Sequence, residues 1–229
     1  MFKFKKRQIN SIDISFIEKD SSLKDIYIIG NGPSLNKFCN KNFNDKFTIG
    51  TNRAWLWGNT DILIWRDPRI TDEIEFFQLD KMEKARWICS SDKAFNSSAL
   101  NEYSYILQMI DYTFSDRWMK EILETNIKWN GIVFHAIALA KFISIDANIH
   151  LIGIDLDYKS DHHFFNNHPG FNRGVYKKFW SPDNFNFKKR LDMMYENFKK
   201  LQDSGFTFIN YSETSRLNKL FGYKSINNG

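Results

Sequence analysis

Six apolar runs of strand length, alternating with stretches of helical or turn character, constrain this chain more than any other feature. They are 26–30 (IYIIG), 47–52 (FTIGTN), 61–65 (DILIW), 85–90 (ARWICS), 149–155 (IHLIGID) and 206–210 (FTFIN). Alternation of this kind predicts an α/β fold, a mainly parallel sheet whose strands are joined by crossover helices. Between the runs, 131–142 (GIVFHAIALAKF) carries Ala, Leu and Ile at helical spacing and is nearly apolar throughout, as a helix packed deep against the sheet should be. The stretch 187–204 places Leu191, Met194, Tyr195, Phe198 and Leu201 at three- and four-residue steps, the mark of an amphipathic helix, and Gly205 stands where it should stop.

The first ~22 residues mix charged and apolar groups without a clear period and read as a short strand or arm. The stretch 157–186 has no period either and is rich in Asn, His, Phe, Gly and Pro. It is long for a connector, so it reads as a lid. At 229 residues the expectation is one domain spanning 1–229 with this lid attached.

Hydrophobic residues make up 42% and aromatics 17%, too much apolar surface for a disordered chain. No run approaches the ~20 apolar residues of a membrane span, and the opening MFKFKKRQINSIDISF lacks the apolar segment of a signal peptide, so a cytoplasmic location is expected. Cys39 and Cys89 have neither metal-ligand spacing nor the density of a disulfide framework, and are expected to be reduced and packed. A net charge of +5 suits a phosphate-bearing partner: a nucleotide, a nucleic acid or an anionic headgroup. Lys189, Arg190, Lys199 and Lys200, however, fit the wet face of the second helix.

The run at 26–30 leads straight into GNGPSL. Gly30 and Gly32 let the backbone turn tightly and approach a neighbour without a Cβ in the way. Pro33 is preorganised for a first helical turn and Ser34 can cap it, so the turn is expected to offer N–H groups and a partial positive charge to a phosphate. Asn52, Asp67, Asp155 and Asp157 end or follow later strands, where open parallel sheets present ligand contacts. Asn52 suits a base or ribose edge, and Asp67 a hydroxyl or a metal. Asp155 and Asp157 could hold Mg²⁺ or supply a general base. The lid adds His162, His163 and His168 with Tyr158 and Arg173, groups that can move a proton or steady a leaving phosphate. No zinc-ligand spacing is present among them. His135 and His150, by contrast, lie in apolar surroundings and read as core residues.

Four motifs in this order, GNGPSL after the first strand, Asn52 after the second, WNGIVFHAIALA on the apolar helix and LIGIDLDY at a strand end, resemble the bacterial sialyltransferases of glycosyltransferase family 42 and the wider DUF115 and motility-accessory-factor proteins. The likeness spans about 26–217. It implies a Rossmann-like fold of the GT-A type, a CMP-activated sugar as donor, no required metal, and a lid closing over the donor. It also implies that Asn31 and Asn52 contact the nucleotide, with Asn130 and Gly131 lining its site. Two places depart from the family: the stretch 182–187, where its catalytic His stands, contains none, and Tyr158 lies one place from the lid tyrosine position, which Asp157 occupies. DILIWRDP looks more like the DUF115 proteins.

The leading expectation is a glycosyltransferase moving a sugar from a CMP-linked donor to a hydroxyl acceptor. Gly30, Asn31, Gly32 and Ser34 would hold the donor phosphate, with Asn52 and Asn130 at the nucleoside. His168, His162, His163 or Asp157 would take the acceptor proton, while Tyr158 or Arg173 would steady the leaving phosphate. The wider family also includes proteins similar to a 6-hydroxymethylpterin diphosphokinase, whose Mg²⁺-dependent chemistry would draw on Asp67, Asp155 and Asp157. A nucleotide-binding protein without catalysis is the third reading. The acceptor would be a glycan or another biopolymer; the charge leaves room for a nucleic acid, and nothing excludes a homo-oligomer.

Overall fold

The computed structural model describes residues 19–58, 60–65, 70, 86–89, 108–109, 131–157 and 185–226, with backbone only at 86–89, 108–109 and 185–187. Its core is a seven-stranded sheet, every pairing of which is parallel. In chain order the strands are β1 (Asp25–Ile29), β2 (Thr48–Thr51), β3 (Ile62–Trp65), β4 (Arg86–Cys89), β5 (Gln108–Met109), β6 (Asn148–Ile152) and β7 (Phe208–Asn210), arranged 5-4-3-2-1-6-7. Three α-helices are described: α1 (Ile132–Ile143), α2 (Phe185–Asp203) and α3 (Asn218–Phe221). All six predicted strands are present. β5 adds a seventh that no apolar run announced.

Alternation within each strand divides the core into two clusters. Ile26 and Ile28 of β1, Ile62 and Ile64 of β3, and Ile149 and Leu151 of β6 point to the face covered by α1 and α2. Ile29, Leu63, Trp65 and Ile152 point to the other, where Leu35, Phe43 and Trp55 close over them. This two-sided burial is why the strands read as continuous apolar runs rather than alternating ones.

α1 is apolar almost all round because it is enclosed, with Phe134, Ala136, Ile137, Ala138, Leu139 and Ala140 each fully buried. Its one inward cation, Lys141, serves the backbone. Nζ donates to the carbonyls of Ile145 and Ala147, both at 2.9 Å, tying down the chain that leaves the helix. Burial pushes the Lys141 ammonium below its ordinary pKa. α2 ends as expected at Gly205, whose φ of +90° permits the reversal. The Gly205 N–H bonds to Gln202 O and the Phe206 N–H to Leu201 O, which together form a Schellman cap. Lys189, Lys199 and Lys200 are exposed, as the solvated-face reading required, while Arg190 is half-buried.

Two expectations need correction. Cys39 is exposed and free, not packed, because it lies in a loop between two short 3-10 helices rather than on an inward face. The helix expected after β1 is a five-residue 3-10 helix, Pro33–Lys37, capped at its start by Gly32 with no side-chain bond. Ser34 lies inside it and caps nothing. Among the described residues, no helix is long and apolar enough to cross a membrane.

Candidate functional site

β1 pairs with β2 on one side and β6 on the other, so strand order reverses at β1. In open α/β sheets, the crevice beyond the carboxyl ends of the strands at such a reversal is where ligands bind. Here that crevice is bordered by the turn after β1, the start of the 3-10 helix after β2 (Asn52–Leu56) and the segment 153–157 after β6. α1, which runs across β1, β2 and β3 and then feeds the amino end of β6, must begin at this same edge, and Gly131 is its N-cap residue. Gly30, Asn31, Gly32, Ser34, Asn52, Gly131, Asp155 and Asp157 are therefore brought to one edge of the sheet. Asp67, Asn130, Tyr158, His162, His163, His168 and Arg173, with nearly all of the lid, lie outside the described residues.

The turn after β1 works differently from expectation. Three of its backbone donors are already engaged inside the protein: Gly30 N–H with Ile152 O at 2.7 Å, Gly32 N–H with Gly153 O at 2.7 Å, and Leu35 N–H with Gly32 O at 3.0 Å. The Ser34 N–H donates to Asp155 Oδ2 at 2.9 Å. Where a phosphate was expected, the turn holds the protein's own carboxylate. The open cradle of N–H groups read into Gly30, Gly32 and Ser34 does not take that form.

Asp155 differs from expectation for the same reason. It is 4% exposed, and its Oδ1 accepts the hydroxyls of Ser34 and Ser212 while Oδ2 accepts the Ser34 N–H. Both oxygens are thus occupied by protein donors, and the residue acts as an internal tie rather than a metal ligand. The glycines follow from it. A Cβ at Gly32 would overlap the Asp155 carboxyl group, and one at Gly30 would overlap Gly153 O and Ile154 Cδ1. Close approach of the β6 loop, not of a ligand, is what these two positions demand.

Two asparagines also stand at this edge. Asn31 reaches sideways, its Nδ2 donating to Thr51 O at 2.7 Å and contacting Thr51 Oγ1 at 3.2 Å, while Thr51 Oγ1 donates to Ile29 O at 3.0 Å. This latch fixes the end of β1 to the end of β2. Asn52 follows directly in the left-handed region at φ 49°, a conformation Asn accepts more readily than most residues. Leu156 is left-handed too, at φ 46°, next to Asp157. A leucine there is strained, and such strain gathers around functional edges.

Sequence reasoning missed the wall of this edge. After β7 the chain crosses over the β6 loop: Ser212 Oγ donates to Asp155, Ser215 Oγ to Ile154 O at 2.9 Å, and Arg216 N–H to Asp155 O at 3.2 Å. The only signal was the cluster of turn-forming residues in YSETSRLN. Arg53, beside Asn52 and buried, was missed as well.

His150, set aside as a core residue, is one. Its Nε2–H donates to Asp25 Oδ1 at 2.7 Å, so Nδ1 accepts from the Tyr211 hydroxyl at 2.9 Å, and the ring stacks on Tyr27 at a centroid distance of 4.2 Å. Burial pushes the imidazole below its ordinary pKa, outweighing the Asp25 hydrogen bond that raises it. The same hydrogen bond holds the Asp25 carboxyl below the usual range, and burial drives the Tyr211 hydroxyl up to about 12. His135 is likewise buried, with Nδ1 3.5 Å from Gly131 O.

No protein-family model matches the chain, and no curated protein sequence does. Solved structures do match. The monofunctional α-2,3-sialyltransferase Cst-I from Campylobacter jejuni aligns with a TM-score of 0.56 at 18% identity, over 92% of this chain and 83% of that one. This chain shares the fold of Cst-I. The sialyltransferase CstII from the same organism, solved with the substrate analogue CMP-3FNeuAc, aligns with a TM-score of 0.48 at 16% identity, over 88% and 86%. The Rossmann-like, mainly parallel α/β architecture is thus shared with Cst-I, at an identity that speaks for the fold alone.

Proposed function

We propose that this protein is a glycosyltransferase that moves a sugar from a CMP-linked donor to a hydroxyl acceptor. The observation that carries the reading is the convergence of the sequence motifs on one edge. Asn31, Asn52, Gly131 and the β6 loop were singled out as a scattered set. They meet at the topological switch point of a sheet shared with Cst-I over most of both chains. Gly131, which was not picked for a place after a strand, comes to the same edge.

In this reading Asn31 and Asn52, held by the Thr51 latch and the left-handed turn, face the nucleotide, with Asn130 and Gly131 completing its site. The acceptor oxygen attacks the anomeric carbon as the bond from that carbon to the donor phosphate breaks. The acceptor proton passes to a lid histidine, among which His168 leads over His162 and His163, or to Asp157. The departing CMP phosphate is steadied by Tyr158 or Arg173. No metal is needed in this scheme. The Asp-Pro after β3 allies the chain with the DUF115 branch of the likeness, and the acceptor is a glycan or another hydroxyl-bearing polymer.

The test is a thermal-shift panel followed by turnover. CMP and CMP-sugars should raise the melting temperature in EDTA, and sugar transfer should persist there. A shift with ATP and Mg²⁺ but none with CMP would replace this reading with the diphosphokinase one. Binding of CMP without turnover across donors and acceptors would leave a nucleotide-binding protein.

A further inference from the structure

We propose that Asp155 is a positioning residue. Its carboxylate clamps the turn after β1 to the loop after β7, and the donor site exists in its binding shape only while that clamp is closed. The inference rests on the proposed donor site, but the clamp itself is a feature of the chain alone.

Two segments far from Asp155 in sequence converge on its side chain. Ser34, 121 residues away, contributes its N–H and its hydroxyl; Ser212, 57 residues away, contributes its hydroxyl. The backbone repeats the connection, through Gly32 N–H to Gly153 O and Arg216 N–H to Asp155 O. On the exposed rim Lys37 Nζ meets Glu213 Oε2 at 3.0 Å, joining the same two segments again. A buried carboxylate with three donors is costly to assemble and costly to break, since removing it strands each donor. Such an arrangement fixes geometry. It leaves Asn31 standing between a rigid turn and Thr51, with its position decided from both sides.

The chemistry of the clamp gives an unusual expectation for the amide. In Asp155→Asn the side-chain oxygen can stand where Oδ2 does and accept the Ser34 N–H, while the NH₂ points at the two serine oxygens, which accept as readily as they donate. The clamp reverses polarity and survives. A carboxylate that bound a metal, took a proton or touched the ligand through its charge would be lost in the same substitution. Asp155→Ala removes the clamp altogether.

The experiment measures hydrogen exchange of the 30–36 segment without ligand, and CMP titration by calorimetry, on the full chain carrying Asp155→Asn, Asp155→Ala or Ser212→Ala. Exchange at the Ser34 amide should rise roughly tenfold or more in Asp155→Ala, the effect of losing about 1.4 kcal/mol of local protection. It should stay within about threefold of the parent in Asp155→Asn and rise by roughly threefold to tenfold in Ser212→Ala, which cuts the carboxylate's bond to the loop after β7. CMP affinity should follow the same order, weakened most in Asp155→Ala, in part in Ser212→Ala and retained in Asp155→Asn. Should Asp155→Ala fail to fold, Asp155→Asn and Ser212→Ala still decide the matter. Loss of Ser34 protection or of CMP affinity in a folded Asp155→Asn protein overturns the proposal, as does unchanged protection in Asp155→Ala. If the parent protein does not bind CMP, the donor-site reading fails, and the exchange data still decide whether the clamp positions the turn.

Discussion

Replacing Gly32 with Ala tests whether the glycine turn is shaped by the protein's own carboxylate. Gly32 has φ −70° and ψ 156°, ordinary extended backbone that alanine adopts without strain, so any cost is steric. The new Cβ would overlap the Asp155 carboxyl group and would stand 2.8 Å from Gly153 O, which is backbone and cannot swing aside. Overpacking of this kind costs about 1–3 kcal/mol. A displaced carboxylate also weakens its bonds to Ser34 and Ser212, each worth about 1.5–3 kcal/mol to a charged acceptor. A total of about 2–4 kcal/mol is expected, because the side chain will yield in part. For a chain of this size that is a fall in melting temperature of roughly 5–15 °C. The decisive assay is a double-mutant cycle by thermal and urea unfolding. In an Asp155→Ala background most of the obstructing atoms are gone, so Gly32→Ala should cost less there, with a coupling of about 1–2 kcal/mol. Strict additivity would show that Gly32 does not answer to Asp155 and would refute the packing explanation of the turn.

Further expectations follow from other bonds. Thr51→Val keeps shape and the backbone carbonyl that Asn31 Nδ2 donates to, but removes the hydroxyl's contact with Asn31 and its bond to Ile29; calorimetry should show CMP affinity reduced by only about threefold, with a stability loss of about 1 kcal/mol. Lys141→Met leaves the Ile145 and Ala147 carbonyls without their donor and should cost about 2 kcal/mol by urea unfolding, with CMP affinity unchanged. His150 gives a pH dependence. Burial lowers its folded pKa from the ordinary 6.5, so its contribution is fully present above that pH. As pH falls below it the unfolded chain takes up the proton first, and stability declines down through the folded value. Denaturation followed from about pH 7.5 to about pH 5 should show this slope, flattened in His150→Gln; an unchanged slope in that variant would assign it to other groups.

The strands and both long helices were legible because their signals are local. Leu191, Met194, Tyr195, Phe198 and Leu201 repeat at helical steps, and Gly205 marks the cap, all within one window of sequence. β5 was not legible, since Gln108–Met109 is two residues long and pairs only at the sheet edge. The candidate site was half legible. Position after a strand is a local property, and it located Gly30, Asn31, Asn52 and Asp155. What those residues do is set by partners 20 to 121 positions away, as with Asn31 and Thr51 or Ser34 and Asp155. A glycine announces that a Cβ is forbidden, but the sequence does not say whether a ligand or another loop forbids it. Here the loop does, and that moves the expected ligand contacts from the backbone of the turn to the side chains beside it.

On the proposed function, the edge at β1, β2 and β6 receives the nucleotide of the donor. A crystal structure of the protein with CMP tests this most directly. The nucleotide should lie beyond the carboxyl ends of β1 and β2, within hydrogen-bonding reach of Asn31 and Asn52, with Asp155 still bonded to Ser34 and Ser212. A nucleotide bound elsewhere, or bound directly to the Asp155 carboxylate with those serine bonds broken, would contradict it.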